Sequence, residues 1–246
     1  MKKTIAASIM LALGISCANA DVIKVGTHPT FAPFEYVDAK GSAIGFDIDV
    51  INAIAKANGD SVEIVSMPFD GLIPALLTGQ IDASITAMTI TDERKKRVDF
   101  TQGYYTSSLS ALINTKDAKI YTDLQSLKGK KICAQIGTTG AFFAKEITDD
   151  VVSLNTQPDA MLELQNGGCE ALINDRPANL FYLKKANTNS MVELADPDLL
   201  KNADVYGIAV TKGNNELLDK LNQGLEKIKA NGEYKAIHKK YFGVEE

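Results

Sequence analysis

Residues 86–94, TAMTITDER, combine hydroxyl side chains with an arginine directly after an apolar run. A guanidinium group is a planar donor that matches a carboxylate through two parallel hydrogen bonds. Arg94 therefore predicts a binding site for an anion, with hydroxyl and backbone groups of the same segment close by. For residues 95–97 (KKR) we prefer a simpler interpretation, a charged helix face in contact with solvent.

Residues 137–140, GTTG, follow a predicted strand at 130–136 and precede a predicted helix that ends near residue 146. A strand-to-helix junction of this kind exposes backbone N–H groups and the positive end of a helix dipole, and both favour anions. The spacing and the missing lysine distinguish the segment from a phosphate-binding loop. Taken alone, it is better explained as an ordinary Gly/Thr turn.

Asp175 follows a predicted strand at residues 170–174. Ligands of open α/β sheets bind at the carboxyl ends of the strands, so an acid at this position is a candidate partner for a cation. A local interpretation is at least as good, because Asp175 is also suited to cap the helix that begins near Pro177.

Short strand-like runs alternate with helical patterns along almost the whole chain, which predicts an α/β fold. We expect this fold to position the three segments described above. Residues 61–66 and 151–154 are typical of strands, and 47–57 of a helix with one apolar face. No Pro- or Ser-rich linker interrupts the pattern, and no repeat of 20–50 residues is present. We therefore expect two βα lobes that share the chain.

The composition excludes several classes of protein. The 246 residues include 26 Lys and Arg against 31 Asp and Glu, a formal net charge of −5, with 45% hydrophobic residues. These values are typical of a globular chain and argue against a nucleic-acid-binding protein, which would be basic. The two histidines, His28 and His238, lie far apart in the sequence and exclude a His-rich metal site. We predict no metal, no cofactor and no nucleic-acid partner.

Residues 1–20 have the features of a cleavable secretory signal. A basic start at residues 1–3 is followed by an apolar run at 5–15 and by the small residues Ala18-Asn19-Ala20. The apolar run is too short to span a bilayer, which needs about 20 residues. We predict cleavage after Ala20 and export of the chain. A lipoprotein signal, cut before Cys17, is the alternative.

Export leaves Cys133 and Cys169 as a pair in an oxidising compartment. Neither belongs to a CxxC motif, so the sequence indicates neither a zinc site nor a thioredoxin-type site. Two interpretations remain at this point, a disulfide or two small buried apolar side chains.

Eight short motifs occur in a fixed order after the signal segment. They are residues 27–35 (THPTFAPFE), 45–49 (GFDID), 69–76 (FDGLIPAL), 89–94 (TITDER), 99–101 (DFT), 104–105 (YY), 137–139 (GTT) and 206–209 (YGIA). Together they resemble the periplasmic polar amino-acid-binding proteins of ABC importers. This solute-binding protein family 3 includes the glutamine, histidine and lysine/arginine/ornithine binders. The resemblance covers the whole chain after the signal, and the ordered set is far more specific than any single motif.

The resemblance implies a two-lobed type II periplasmic binding-protein fold, with two mixed or parallel sheets flanked by helices and joined by two hinge strands. Lobe 1 would comprise residues 21–107 and 207–246, and lobe 2 residues 108–206. Within lobe 2, Cys133 and Cys169 would open neighbouring strands, which favours the disulfide in the correct register. The implied protein is a periplasmic monomer whose partners are a free L-amino acid and the membrane permease of an ABC transporter.

The resemblance also implies a site in which each charged group of an amino acid meets the opposite charge. Arg94 would clamp the α-carboxylate, and Asp175 would accept the α-ammonium group. The further implied contacts are the backbone N–H groups of Thr89, Thr138 and Thr139 for the carboxylate, the Thr89 hydroxyl and the backbone of Thr86 or Ala87 for the ammonium, the rings of Phe31 and Phe69 for the aliphatic stem, and His28, Gln135 and Asn174 for the side chain.

The expected preference for one ligand side chain over another depends on His28. Binders of lysine, arginine and histidine usually have an acid at the matching position, whereas a neutral imidazole supplies no fixed negative charge near pH 7. We therefore predict a neutral polar ligand, glutamine first, with asparagine and histidine next. The alternative is a binder of cationic amino acids, in which His28 only packs and another acid supplies the charge.

Two other classes of function use the same scaffold. Cyclohexadienyl dehydratases resemble these binders, and a sensor or adhesin would carry the same pair of lobes. A dehydratase needs a proton donor directed at a leaving hydroxyl, whereas Arg94 and Asp175 together complete a site for a zwitterion. We therefore predict a receptor without catalytic residues.

Overall fold

The computed structural model describes residues 21–186, 189–194, 196–201 and 203–243, and the expected signal segment lies outside these residues. The described strands are β1 Val22–Thr27, β2 Thr30–Phe31, β3 Glu35–Val37, β4 Ala43–Ile44, β5 Ser61–Ser66, β6 Ala83–Ser84, β7 Val98–Phe100, β8 Tyr105–Ser107, β9 Leu109–Asn114, β10 Ile132–Gln135, β11 Val151–Leu154, β12 Ala171–Asp175, β13 Met191–Leu194, β14 Asp204–Tyr206 and β15 Ala209–Thr211.

The described helices are α1 Phe46–Asn58, α2 Leu72–Leu77, α3 Asp92–Lys95, α4 Thr139–Ile147, α5 Gln157–Gln165, α6 Arg176–Ala186, α7 Pro197–Lys201, α8 Asn215–Ala230 and α9 Glu233–Phe242. Short 3₁₀ turns occur at Phe69–Gly71, Thr115–Asp117 and Leu124–Leu127. In this part of the chain, no helix combines the length and the apolar character needed to cross a bilayer.

One mixed sheet, with strand order β5-β1-β6-β15-β7, forms the centre of the part that we call lobe 1. Strands β5, β1 and β6 run parallel, and β15 is antiparallel to both of its neighbours. Helices α1 and α8 pack together, and the buried side chains of Ile51, Ile54, Leu221 and Leu225 join the apolar core of this sheet. Their spacing of three or four residues gives each helix one apolar stripe.

A second mixed sheet, with strand order β11-β10-β12-β9-β13, forms the centre of lobe 2. Strands β11, β10 and β12 are parallel, whereas β9 is antiparallel to β12 and β13. Alternate residues of β9 face opposite sides of the sheet. Ala111 and Ile113 pack in the cluster that includes Ala144 of α4, and Leu112 packs in the cluster that includes Leu164 of α5. Two helix-flanked mixed sheets are the architecture predicted from the sequence.

The lobes are connected by β8 and β14, an antiparallel pair in which Tyr105 lies opposite Tyr206. The rings of these two tyrosines stack with centroids 5.5 Å apart. The ring of Phe34, in lobe 1, meets both edge-on, at 5.0 and 5.3 Å. Edge-to-face pairs are a preferred aromatic geometry. The connection is therefore anchored to lobe 1 at its tyrosine end.

The predicted disulfide between Cys133 and Cys169 is present in lobe 2, with Cα atoms 5.9 Å apart. Cys133 lies in β10 and Cys169 shortly precedes β12, the parallel neighbour of β10. Both cysteines are buried against Leu164 and Leu172. The bond therefore closes a loop that contains α4, β11 and α5.

We expect the disulfide to stabilise the fold by restricting the unfolded chain. For a sequence separation of 36 residues, loop-closure entropy corresponds to about 3–4 kcal/mol. The variant with Cys133→Ala and Cys169→Ala should lose about that much free energy of unfolding, measured by urea denaturation. Reducing the unmodified protein with dithiothreitol is the matched control and should give a similar loss. An unchanged midpoint after full reduction would contradict the prediction.

Candidate ligand-binding site

A cavity of about 320 Å³ lies between the two lobes. Lobe 1 contributes His28, Phe31, Glu35, Phe69, Thr86, Ala87, Thr89 and Arg94, and lobe 2 contributes Gln135, Thr138, Thr139 and Asp175. Most of the lining side chains are polar or charged. The cavity therefore suits one small polar molecule rather than an extended chain.

Eleven of the twelve site residues predicted from the sequence line this cavity, and Asn174 is the exception. Asn174 is buried in β12, and its Nδ2 atom donates a hydrogen bond to Oδ1 of Asn179 at 3.4 Å. Successive strand residues point to opposite faces, so the neighbouring Asp175 reaches the cavity while Asn174 turns away from it. Glu35 lines the cavity as well and was not predicted.

Arg94 is held by backbone groups of both lobes. The hydroxyl of Thr91 caps α3 by accepting a hydrogen bond from the Arg94 N–H at 3.2 Å. Nη1 of Arg94 donates to the carbonyl oxygen of Thr89 at 2.7 Å, and Nη2 donates to that of Gly137 at 3.0 Å. The guanidinium also lies 5.4 Å from the ring centroid of Phe69. Its remaining donors are thereby held in a fixed orientation.

Burial lowers the pKa of Arg94 to about 10, although Asp175 and Asp204 oppose that shift. The side chain therefore stays cationic at neutral pH, with 9% of its surface exposed. A cation held in this way, in a small cavity, attracts an anionic group more strongly than the same cation would in water.

The N-terminus of α4 faces the same cavity. Thr138 caps the helix by accepting a hydrogen bond from Ala141 N–H at 3.1 Å, while its hydroxyl donates to the carbonyl oxygen of Gln135 at 2.7 Å. Gly140 lets the helix start lie against β12, because a Cβ there would be 2.7 Å from the carbonyl oxygen of Ile173. The positive end of α4 and Arg94 thus form one corner that favours an anion.

Asp175 is the last residue of β12 and is 6% exposed. Its Oδ1 atom accepts no hydrogen bond within the described ranges. Burial and the nearby charge of Asp204 raise the pKa of Asp175 to about 7, although the Tyr206 hydroxyl and Arg94 oppose the shift. A cationic group placed against Oδ1 would stabilise the ionised carboxylate.

Glu35 forms a second acidic wall of the cavity, and the carboxyl group of Asp47 lies next to it. The Thr86 hydroxyl donates to Oε1 of Glu35 at 2.7 Å. Burial, followed by the charge of Asp47, raises the pKa of Glu35 well above its usual range. Burial also raises the pKa of Asp47, and the donors Ala87 N–H and Tyr104 oppose that shift.

Gly45 explains why Glu35 and Asp47 meet. Its φ angle is +135°, and a Cβ at this position would overlap the carbonyl oxygen of Phe34. The close approach lets Asp47 N–H donate to Phe34 carbonyl oxygen at 2.9 Å at the start of α1. The first turn of α1 therefore lies directly beside Glu35.

Asp47 also supports the cavity wall at Ala87. Ala87 has a φ angle of +47°, in the left-handed region that non-glycine residues rarely adopt. Its N–H group donates to Oδ2 of Asp47 at 2.6 Å, and the Tyr104 hydroxyl donates to the same oxygen at 2.8 Å. These two bonds compensate for the unfavourable backbone conformation that turns the chain towards Thr89.

His28 contacts lobe 2 across the cavity, because Nε2 of Gln135 lies 3.0 Å from its Nδ1. The Thr30 hydroxyl lies 3.4 Å from the same ring nitrogen. Burial lowers the pKa of His28, with a smaller opposing effect of Asp70. Burial thus favours the neutral imidazole, and in the tautomer with Nδ1 unprotonated this atom accepts the hydrogen bond from Gln135.

From the sequence, Glu35 and Asp47 were noted only as members of the motifs at residues 27–35 and 45–49, and neither was predicted to belong to the site. One signal was available, since each acid is embedded among apolar residues, Glu35 after Phe34 and Asp47 between Phe46 and Ile48. Acids are rarely buried without a partner, so an acid among apolar residues indicates a paired or ligand-binding carboxyl group.

Within the described residues, no group of three or more His, Cys, Asp or Glu side chains could hold a metal ion.

Comparisons with known proteins identify the family. The model of the bacterial extracellular solute-binding proteins, family 3, matches residues 23–244. A probable histidine-binding protein of Neisseria gonorrhoeae is 33% identical over 100% of this chain and 97% of its own. The putative ABC transporter arginine-binding protein 2 of Escherichia coli (strain K12) is 35% identical over 98% and 99%. A solved structure described as an ancestral arginine-binding protein bound to glutamine is 39% identical, with a TM-score of 0.84, over 91% of this chain and 98% of its own. The chain therefore belongs to the bacterial extracellular solute-binding proteins of family 3.

Proposed function

We propose that the protein binds one free polar L-amino acid between its lobes in the periplasm and delivers it to the membrane permease of an ABC transporter. One observation carries the proposal. A single small cavity contains an anion-binding corner, formed by Arg94 and the start of α4, and the carboxylate of Asp175 with an oxygen free to accept. Burying both charges of a zwitterion requires both partners at once.

The second acidic wall favours a cationic side chain, with arginine first. Glu35 lines the cavity beside His28, where the ligand side chain would lie. A guanidinium group presents several donors in one plane and suits a carboxylate. The names of the arginine- and histidine-binding relatives agree with this choice.

Glutamine, the ligand expected from the sequence, is the second candidate. The neutral imidazole of His28 and the amide of Gln135 lie in the cavity wall within hydrogen-bond distance of each other. Both groups suit an uncharged amide. The glutamine-bound ancestral protein belongs to the same family and supports this alternative.

We further propose that the protein acts as a monomeric receptor without turnover. The relatives reported above are named as binding proteins, which favours binding over turnover. Incubation with prephenate and arogenate tests this, because a dehydratase would convert at least one of them.

The charge partners can be tested by thermal unfolding with each of the twenty amino acids. A specific ligand at a thousandfold excess over Kd should stabilise the protein by about 4 kcal/mol. Arg94→Ala and Asp175→Asn should each remove most of that shift, because each leaves a buried ligand charge unpaired. Lys95→Ala is the matched control, since this exposed side chain lies on the same helix. A full ligand shift in Arg94→Ala would refute the site.

Selectivity can be tested by calorimetric titration at pH 7.5 with arginine, lysine, histidine and glutamine. We expect arginine to bind most tightly. Glu35→Gln should weaken arginine binding about tenfold or more, the value of a charged hydrogen bond, and should leave glutamine within about threefold. Glutamine binding more tightly than arginine to the unmodified protein would select the second candidate. Binding of none of the twenty amino acids would exclude both.

A further inference from the structure

We propose that Asp47, which does not line the cavity, is a specificity-determining residue that acts through Glu35. In the ligand-free protein the two carboxyl groups share one proton. A cationic ligand side chain releases that proton to solvent, whereas a neutral amide leaves it in place. The inference rests on the proposed function, because it concerns the side-chain end of the same site.

The proposal rests on the close approach of the carboxyl groups of Glu35 and Asp47. The two groups lie side by side, because the consecutive residues Thr86 and Ala87 donate to Glu35 at 2.7 Å and to Asp47 at 2.6 Å. An ionised carboxylate, however, only accepts hydrogen bonds. Oε2 of Glu35 and Oδ1 of Asp47 are buried, and neither receives a donor from the described residues. One proton between the carboxyl groups supplies the missing donor.

Among the described residues that act on the pair, none supplies a positive charge that could replace this proton. The groups that act on the pair are the hydroxyls of Thr86 and Tyr104, the Ala87 N–H and the carboxyl of Asp175. The cation of the cavity, Arg94, faces Asp175 and Asp204 instead. Two adjacent buried negative charges without a counter-charge are strongly unfavourable.

The donors around the pair indicate which group holds the proton. Asp47 accepts from Ala87 N–H and from the Tyr104 hydroxyl, both through Oδ2, whereas Glu35 accepts only from Thr86. Donors stabilise an ionised carboxylate, so Asp47 is the ionised member and Glu35 the acid. The group that faces the ligand is thus neutral until a cation replaces its proton.

The consequence is a ligand-dependent response to pH. Where the pair holds its proton, the affinity for arginine should rise up to tenfold per pH unit more steeply than that for glutamine. Asp175 contributes to both ligands alike, because every amino acid brings an α-ammonium group. His28 also faces this end of the cavity, but burial lowers its pKa, so the difference between an arginine and a neutral ligand reports mainly Glu35 and Asp47.

Proton release can be counted by calorimetric titration of the unmodified protein at pH 6.5, in two buffers with different ionisation enthalpies. Arginine should release about one proton more than glutamine or citrulline, an uncharged isostere of arginine. Equal proton release by arginine and the neutral ligand would overturn the inference. It would leave the amino-acid-binding proposal intact, since binding itself is observed.

Asp47→Asn provides the second test. An asparagine can still accept from Ala87 N–H and Tyr104, and its amide can donate to Glu35, which then ionises without a ligand. At pH 6.5 the ratio of arginine to glutamine affinity should rise about tenfold, and the excess proton release should disappear. A merely structural role of Asp47 would weaken both ligands equally and leave the ratio unchanged, which would count against the inference.

Asp49→Asn is the matched control, because Asp49 lies on the same helix and pairs with Lys240 at the surface. This variant should change neither the ratio nor the proton count. If the unmodified protein binds glutamine but not arginine, Asp47→Asn is still expected to gain arginine binding, and its failure to do so would overturn the inference. If Asp47→Asn does not fold, the proton count on the unmodified protein decides.

Discussion

The burial of three carboxyl groups around one small cavity is the electrostatic constraint on which this structure depends. Glu35, Asp47 and Asp175 are nearly inaccessible to solvent, and Arg94 is the cation that lines the same cavity. Desolvation disfavours every one of these charges, so each must be compensated by a donor, a proton or a bound group. A ligand that carries positive charge is one form of that compensation. The affinity of the site and the cost of its buried acids therefore have the same origin.

The fold accommodates the constraint by giving the acids different supports. Asp175 ends a central strand of lobe 2 and lies opposite the guanidinium supplied by lobe 1. Asp47 lies in the first turn of α1 in lobe 1, and its carboxylate accepts the hydrogen bond from Ala87 N–H that holds Ala87 in a left-handed conformation. Glu35 is brought beside Asp47 by the close approach at Gly45. Loss of one support would therefore alter both the charge balance and the shape of the wall.

Local patterns in the sequence predicted the regular elements well and their interruptions poorly. Strands at 61–66 and 151–154 have the predicted bounds, because their residues alternate or pack without special backbone angles. The apolar run at residues 81–88 is typical of a buried strand, yet it is paired as a strand only at Ala83–Ser84, since the chain turns at Ala87 to reach Asp47.

The resemblance to a family predicted most of the residues of the cavity wall. It did not predict Glu35, because Glu35 and Asp47 are twelve positions apart and lie side by side only through the close backbone approach at Gly45. Asn174 was expected in the wall from the resemblance, but the two-residue period of β12 directs its neighbour Asp175 there.

The position of strand β15 determines which of the two sheets can be completed first while the protein is made. It lies between β6 and β7, so the sheet of lobe 1 is incomplete until residues 209–211 have been synthesised. The sheet of lobe 2 uses only residues between 109 and 194, a continuous stretch. The lobe whose chain begins first is thus the last to gain its complete sheet.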